Sequence, residues 1–223
     1  KVRLKTVYVK SLYACFIYLL LLLATPNSYA SLDLEPFVAF GLGGGDFNQW
    51  DSPRPIDHDA YILAPEIGTR LGVDIFRTIL GGVISIGRYH IESARTDDNP
   101  HAIGGDSYGN GVVQRLMGAY GGFALPVGLK VWGEIYSQVS WDFHYAEPKL
   151  ANPFSKDDRL EGEGFAVGVG YRDLGFSFEL VYRQLVFDLL TTSAGVQAFP
   201  NGFYSKFTTY QLMGQLAFTI GLL

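Results

Sequence analysis

Glu66, Arg70, Asp74, Lys130, Glu134, Glu179 and Arg183 stand at even spacings from one another within otherwise apolar stretches of this 223-residue chain. In an extended strand, side chains two or four positions apart return to one face, so each stretch would carry its charges on one side. Charges of both signs on a face turned away from water must meet in hydrogen-bonded pairs, because an unpaired one costs several kcal/mol. A network of that kind can lock strands in register and block a passage, or it can pass ions if its pairs exchange partners. Arg88 and Glu92 would add a further strand to it.

Other reactive residues offer less. His101 and His144 have no neighbour at metal-ligand spacing, and no metal or cofactor site is predicted. Gly41 to Gly45 is a glycine run, but no Lys-Ser/Thr follows it and no helix opens there, so it reads as a flexible exit from a strand rather than a phosphate loop. Asp97-Asp98 and Asp157-Asp158 could take divalent cations that bridge lipopolysaccharide, with solvated loop charge as the plainer role.

Alternation of period two supplies the elements that would position the charges. Across 61–75, Tyr61, Leu63, Pro65, Ile67, Thr69, Leu71, Val73 and Ile75 share a face opposite Glu66, Arg70 and Asp74. Across 129–144, Leu129, Val131, Ile135, Val139, Trp141 and Phe143 oppose Lys130, Trp132, Glu134, Tyr136, Gln138, Ser140 and Asp142. Phe165, Val167, Val169 and Tyr171 alternate with small residues, and Phe176, Phe178, Leu180 and Tyr182 alternate with Ser177, Glu179 and Arg183. Tyr210, Leu212, Leu216, Phe218, Ile220 and Leu222 close the series. Stretches 34–42, 79–92 and 112–125 bring the total to eight strands, although Ile84 and Ile86 share parity with Arg88, His90 and Glu92.

Connections between these strands alternate in length. Short turns fall near Phe76 to Thr78, Pro126 to Gly128 and Arg172 to Gly175; polar loops rich in Gly, Pro, Asp and Asn fall at about 43–60, 94–111, 145–163 and 190–206. That order is the mark of an up-and-down barrel with both termini on its short-turn side.

Charged residues make up 17% of the chain and aromatic residues 15%, against about 25% charged in average usage. Lys1, Arg3, Lys5 and Lys10, then an apolar run with five consecutive leucines, then Pro26 and Ser28-Tyr29-Ala30, have the three parts of a secretory signal peptide cleaved after Ala30. The run is shorter than the roughly 20 apolar residues a membrane-spanning helix needs. Two regions are therefore expected, 1–30 as signal peptide and 31–223 as one domain. The mature part has 13 basic and 22 acidic residues, a formal charge of −9, which disfavours nucleic acid as a partner. It also lacks Cys15, the only cysteine, so no disulfide is expected.

A soluble lipocalin-like barrel would share the alternation, with its apolar face inward and an outer face rich in Lys and Glu. Here the second face is mostly Gly, Ala, Ser and Gln with a few charges, as suits the packed inside of a narrow barrel. Phe37, Tyr61, Trp141, Phe143, Phe165, Tyr171, Phe176, Phe178, Tyr182 and Tyr210 fall mostly near strand ends, where aromatic girdles meet the membrane interface. The fold class read from these features is all-β, an antiparallel up-and-down transmembrane barrel of eight strands.

Over residues 31–223 the chain resembles the small eight-stranded outer-membrane proteins of the OmpA, OmpX and OmpW kind, by architecture rather than by a diagnostic motif. Members usually end in an aromatic residue, whereas this chain closes Gly221-Leu222-Leu223. The resemblance implies a bacterial outer-membrane location, outer-membrane lipid and lipopolysaccharide as partners, and a monomer that displays its long loops to an extracellular ligand. Some barrels of this size act on lipid A. The deacylase family's His and Ser lie two apart on one strand face, which His90-Ile91-Glu92-Ser93 does not match. The palmitoyltransferase family's His, Asp and Ser would correspond to His58, Asp106 and Ser107, but its N-terminal amphipathic helix has no counterpart here. The leading expectation is a non-enzymatic barrel serving envelope integrity or surface interaction. An acyltransferase, and a narrow channel for ions or small hydrophobic molecules, are the alternatives.

Overall fold

A computed structural model describes residues 31–49, 56–96, 107–148, 154–199 and 206–222. The signal-peptide segment lies outside them. Seven long strands follow one another as neighbours: β1 (Ser31–Gln49), β2 (Ile56–Ile75), β3 (Thr78–Thr96), β4 (Ser107–Ala124), β5 (Leu129–Ala146), β6 (Arg159–Asp173) and β7 (Phe176–Thr192). A short β8 (Gly195–Ala198) folds back on β7, and β9 (Phe207–Phe218) pairs with both β7 and β1. A last fragment, β10 (Ile220–Gly221), also pairs with β1.

All these pairings are antiparallel, and the β9–β1 ladder closes the sheet into an eight-stranded barrel. Closure leaves no open edge, so each long strand satisfies its backbone N–H and C=O groups on both sides, the condition for strands to cross hydrocarbon. No helix among the described residues is long and apolar enough to cross a membrane.

Orientation follows from which face is exposed. Phe40, Leu42, Ile67, Ile135, Phe178 and Leu212 point outward, with Ile135 70% and Phe178 68% accessible. An apolar band of that extent around a barrel is a lipid-facing surface. The inner face buries Glu35, Glu66, Arg70, Lys130, Glu134, Glu179 and Arg183. The fold class expected from alternation is the one observed.

Each short connection turns on two adjacent residues in the left-handed region: Phe76 and Arg77 (φ 54° and 69°), Val127 and Gly128 (62° and 80°), Leu174 and Gly175 (48° and 86°). Such turns match the right-handed twist of the strands they join, which explains why the connections can be so tight. On the opposite side the strands run far beyond the expected boundaries. Gly41 to Gly45, expected as a flexible exit, lies inside β1. A Cβ on Gly41 would overlap Met213 across the β1–β9 ladder, so close packing explains that glycine better than looseness does.

Three further expectations are corrected. β5 carries one extra residue at Ser137-Gln138, since Tyr136 pairs Gly164 but Val139 already pairs Gly162, and the β4 ladder shifts at the same place. That bulge reverses parity above it, so Val139, Trp141 and Phe143 are buried inside while Gln138 is exposed and Asp142 half-exposed. Phe37 also points inward, opposite Val38 and Phe40, so Phe37, Trp141 and Phe143 do not belong to the outer girdle. Arg88 and Glu92 stay in phase with the outward Ile84 and Ile86, and both lie on the exterior.

Candidate functional site

Charge fills the short-turn half of the lumen. Arg70 from β2 donates through Nε to Glu134 Oε1 of β5 at 2.7 Å, and through Nη1 to Glu35 Oε1 of β1 at 2.6 Å and Glu179 Oε2 of β7 at 3.0 Å. Lys130 of β5 donates to both Glu35 oxygens, at 2.7 and 2.6 Å, and to Glu179 Oε1 at 3.0 Å. Two cations thus tie together three carboxylates drawn from three strands.

Neutral donors complete the coordination. Ser177 Oγ and Gln215 Nε2 donate to Glu179 at 2.8 and 2.9 Å, and Thr219 Oγ1 to Glu35 at 3.2 Å. Aromatic faces surround the Arg70 guanidinium, whose Cζ lies 3.9 Å from the centroid of the Trp132 ring, 4.9 Å from Tyr120 and 5.0 Å from Phe37. A guanidinium is weakly hydrated and planar, so it tolerates this stacked, desolvated setting better than an ammonium would.

A second group lies deeper toward the long-strand end. Arg183 of β7 grips Glu66 of β2 with two nitrogens, Nη1 to Oε2 at 2.6 Å and Nη2 to Oε1 at 2.9 Å. Tyr89 donates to Glu66 at 2.6 Å, Gln114 donates to Tyr89 at 2.6 Å, and Trp141 Nε1 donates to Gln114 Oε1 at 2.6 Å. Tyr136 joins the two groups, donating to Glu134 and accepting from Arg183 Nε at 3.2 Å. The inventory is Arg70, Lys130 and Arg183 against Glu35, Glu66, Glu134 and Glu179, with the extra carboxylate in the lower group.

Above this the lumen turns aromatic. Trp141 packs against Phe187 at 4.6 Å and Phe207 at 5.6 Å, and Phe143 stacks on Phe154 at 4.5 Å. Phe154 belongs to the connection between β5 and β6, and its own ring is buried against these. Next to it, Asp158 Oδ2 accepts from the Ser155 backbone N–H at 2.8 Å. Burial pushes the Asp158 carboxyl above the usual carboxylate range, Asp157 beside it acts in the same direction, and the Ser155 hydrogen bond opposes both.

Of the charges expected to meet in the lumen, Glu66, Arg70, Lys130, Glu134, Glu179 and Arg183 come together. Asp74 does not: it sits half-buried at the short-turn rim near Asp33, accepts a backbone hydrogen bond from Arg77, and makes no ion pair with the cluster. Sequence reading missed Glu35, although the outward run Leu34, Pro36, Val38, Phe40 and Leu42 marks the opposite parity as inward.

For the acyltransferase pattern, Asp106 and the side chains of His58 and Ser107 lie outside the described residues. The backbone pairs His58 with Arg95 and Ser107 with Ala94. His101 and Asp97-Asp98 also lie outside, and His144 is exposed at the upper part of β5. Among the described residues no group of three or more His, Cys, Asp or Glu is placed to hold a metal ion.

No protein-family model and no curated protein matches this sequence. Solved structures do. The outer-membrane protein OprG from Pseudomonas aeruginosa aligns with a TM-score of 0.54 at 8% identity, over 86% of this chain and 98% of its own. Neisserial surface protein A aligns at 0.46 and 13% identity over 86% and 99%. The fold is that of the small eight-stranded outer-membrane barrels. At such identities the likeness speaks for the fold alone.

Proposed function

We propose that this chain is a non-enzymatic bacterial outer-membrane barrel whose lumen is a structural plug. In this reading the long-strand end faces outside the cell and presents its connecting segments to an extracellular ligand, and the barrel contributes to envelope integrity as a monomer. Its other contacts are outer-membrane lipid and lipopolysaccharide. The observation that carries the reading is Arg70, which bonds carboxylates from β1, β5 and β7 at once and so crosses the lumen. A side chain held by three partners and flanked by three rings has nowhere to swing without uncovering several buried charges, each costing several kcal/mol. The aromatic layer around Trp141 adds an apolar barrier in series.

Planar-bilayer recording tests this. The purified barrel inserts without discrete conductance steps, and Arg70→Ala creates leak rather than removing it. Steps from the unaltered protein that weaken in Arg70→Ala or Glu134→Ala would instead make the network an ion path.

A further inference from the structure

The apolar belt is not level. On β3 to β6 its outward residues stop early: Ile86 gives way to Arg88, Met117 to Arg115, Ile135 to Ser137 and Phe165 to Glu163. On β2 the apolar face continues from Ile75 to Tyr61. At about 3.3 Å per residue and roughly 40° of tilt, the stretch Leu80 to Ile86 is on the order of 15 Å tall, against the ~25 Å apolar band usual for such barrels. Lipid beside a short belt thins to meet it, which lowers headgroups onto the wall just above.

That wall holds a groove of about 640 Å³ where the β5 bulge parts the surface, lined by Arg115, Gln138, Arg159, Glu161, Glu163 and Asp188, among others. Asp142 pairs with both Arg115 and Arg159, and Arg159 Nε also meets Glu161 at 2.9 Å. Both arginines remain about half exposed, with further N–H groups to donate. Glu163 and Asp188 share no ion pair with either arginine. Two lining cations stand against three lining carboxylates and the adjoining Asp142, an excess of negative charge that rejects a bare anion, yet the two guanidiniums suit a phosphate.

We infer that this groove binds a zwitterionic headgroup carrying both a phosphate and a primary ammonium, the phosphoethanolamine type, in the outer leaflet. The phosphate meets Arg115 and Arg159, and the ammonium donates to Glu163 and Asp188. Two membrane components offer that chemistry, phosphatidylethanolamine and lipid A bearing a phosphoethanolamine group. The inference rests on the outer-membrane reading above.

Native mass spectrometry of the detergent-solubilised barrel, offered equal amounts of phosphatidylethanolamine, phosphatidylglycerol and phosphatidylcholine, reads the preference. Phosphatidylethanolamine should be retained about fivefold over the other two, the order of one charge-assisted contact. Glu163→Gln should bring that ratio toward unity, whereas Arg115→Gln should lower the retention of all three, since each carries the phosphate; both residues lie outside the lumen. A parallel arm with phosphoethanolamine-modified and unmodified lipid A tells the two sources apart. Equal retention of the three phospholipids, a preference untouched by Glu163→Gln, or a total retention untouched by Arg115→Gln overturns the site. Co-flotation of the unaltered barrel with vesicles separates this from the membrane reading: a protein that floats but shows no preference loses the groove proposal alone.

Discussion

Arg70 and Trp132 are stacked across the lumen, the guanidinium carbon 3.9 Å from the centroid of the indole, while the same guanidinium bonds three carboxylates. One side chain therefore carries both the ionic contacts of the lower group and its ring contacts. The two kinds of contact should respond to substitution in different ways.

Arg70→Met removes the cation shared by Glu35, Glu134 and Glu179 and leaves Lys130 as the lower group's only base. Losing one partner of a buried pair costs about 3–5 kcal/mol. Glu134→Gln should cost only about 1 kcal/mol, the scale of one net hydrogen bond, because Arg70 keeps two carboxylates and the lower group loses its surplus charge. Urea unfolding in lipid vesicles, followed by tryptophan fluorescence, should show this asymmetry. Equal losses would mean that the pairs contribute independently.

The indole also has a rigid neighbour. A Cβ on Gly168 of β6 would overlap the Trp132 ring atoms, and the Arg70 guanidinium packed on that indole limits how far it can give way. Gly168→Ala should therefore destabilise the barrel by about 1–3 kcal/mol, the usual cost of overpacking. The smaller ring of Trp132→Phe should recover part of that loss in the double variant. No recovery would place the strain in the backbone rather than against the ring.

How much of this was legible in the sequence depends on phase. Strands such as β2 and β9 keep strict alternation, so Glu66, Arg70 and the face of Leu212 and Leu216 could be placed without a structure. The β5 bulge broke the phase for Trp141 and Phe143, because one inserted residue leaves no mark in composition. Arg88 and Glu92 misled for the opposite reason. β3 keeps its phase while leaving the apolar belt, and a charge on the outer wall above lipid looks like a charge in the lumen.

Deleting Gln138 tests the bulge directly. Without the extra residue, Ser137 alone opposes Met117 and Glu163 while Val139 can keep Leu116 and Gly162 as partners, so Val139, Trp141 and Phe143 stay turned to the lumen. The Trp141–Gln114 hydrogen bond and the contact with Phe187 are then kept, so the deletion should preserve the folded, heat-modifiable band on gels, and its loss would mean that the bend made by the bulge is itself required. Gln138→Ala, which keeps the residue count and removes only an exposed side chain, should change stability by no more than about 0.5 kcal/mol.

Turn chemistry supplies the last prediction. Phe76 and Arg77 both take positive φ between the paired residues Ile75 and Thr78, and unlike the other two short turns this one has no glycine at its second position. A non-glycine residue in the left-handed region costs about 1–2 kcal/mol, whereas glycine there costs about 0.5–1 kcal/mol in unfolded-state entropy. Arg77→Gly should therefore stabilise the barrel by up to about 1 kcal/mol. Arg77 also donates its backbone N–H to Asp74, an interaction that glycine keeps. The gain should appear as a higher urea midpoint with an unchanged slope, since the surface exposed on unfolding stays the same. A lower midpoint would mean that the exposed Arg77 side chain contributes more at this rim than its backbone strain removes.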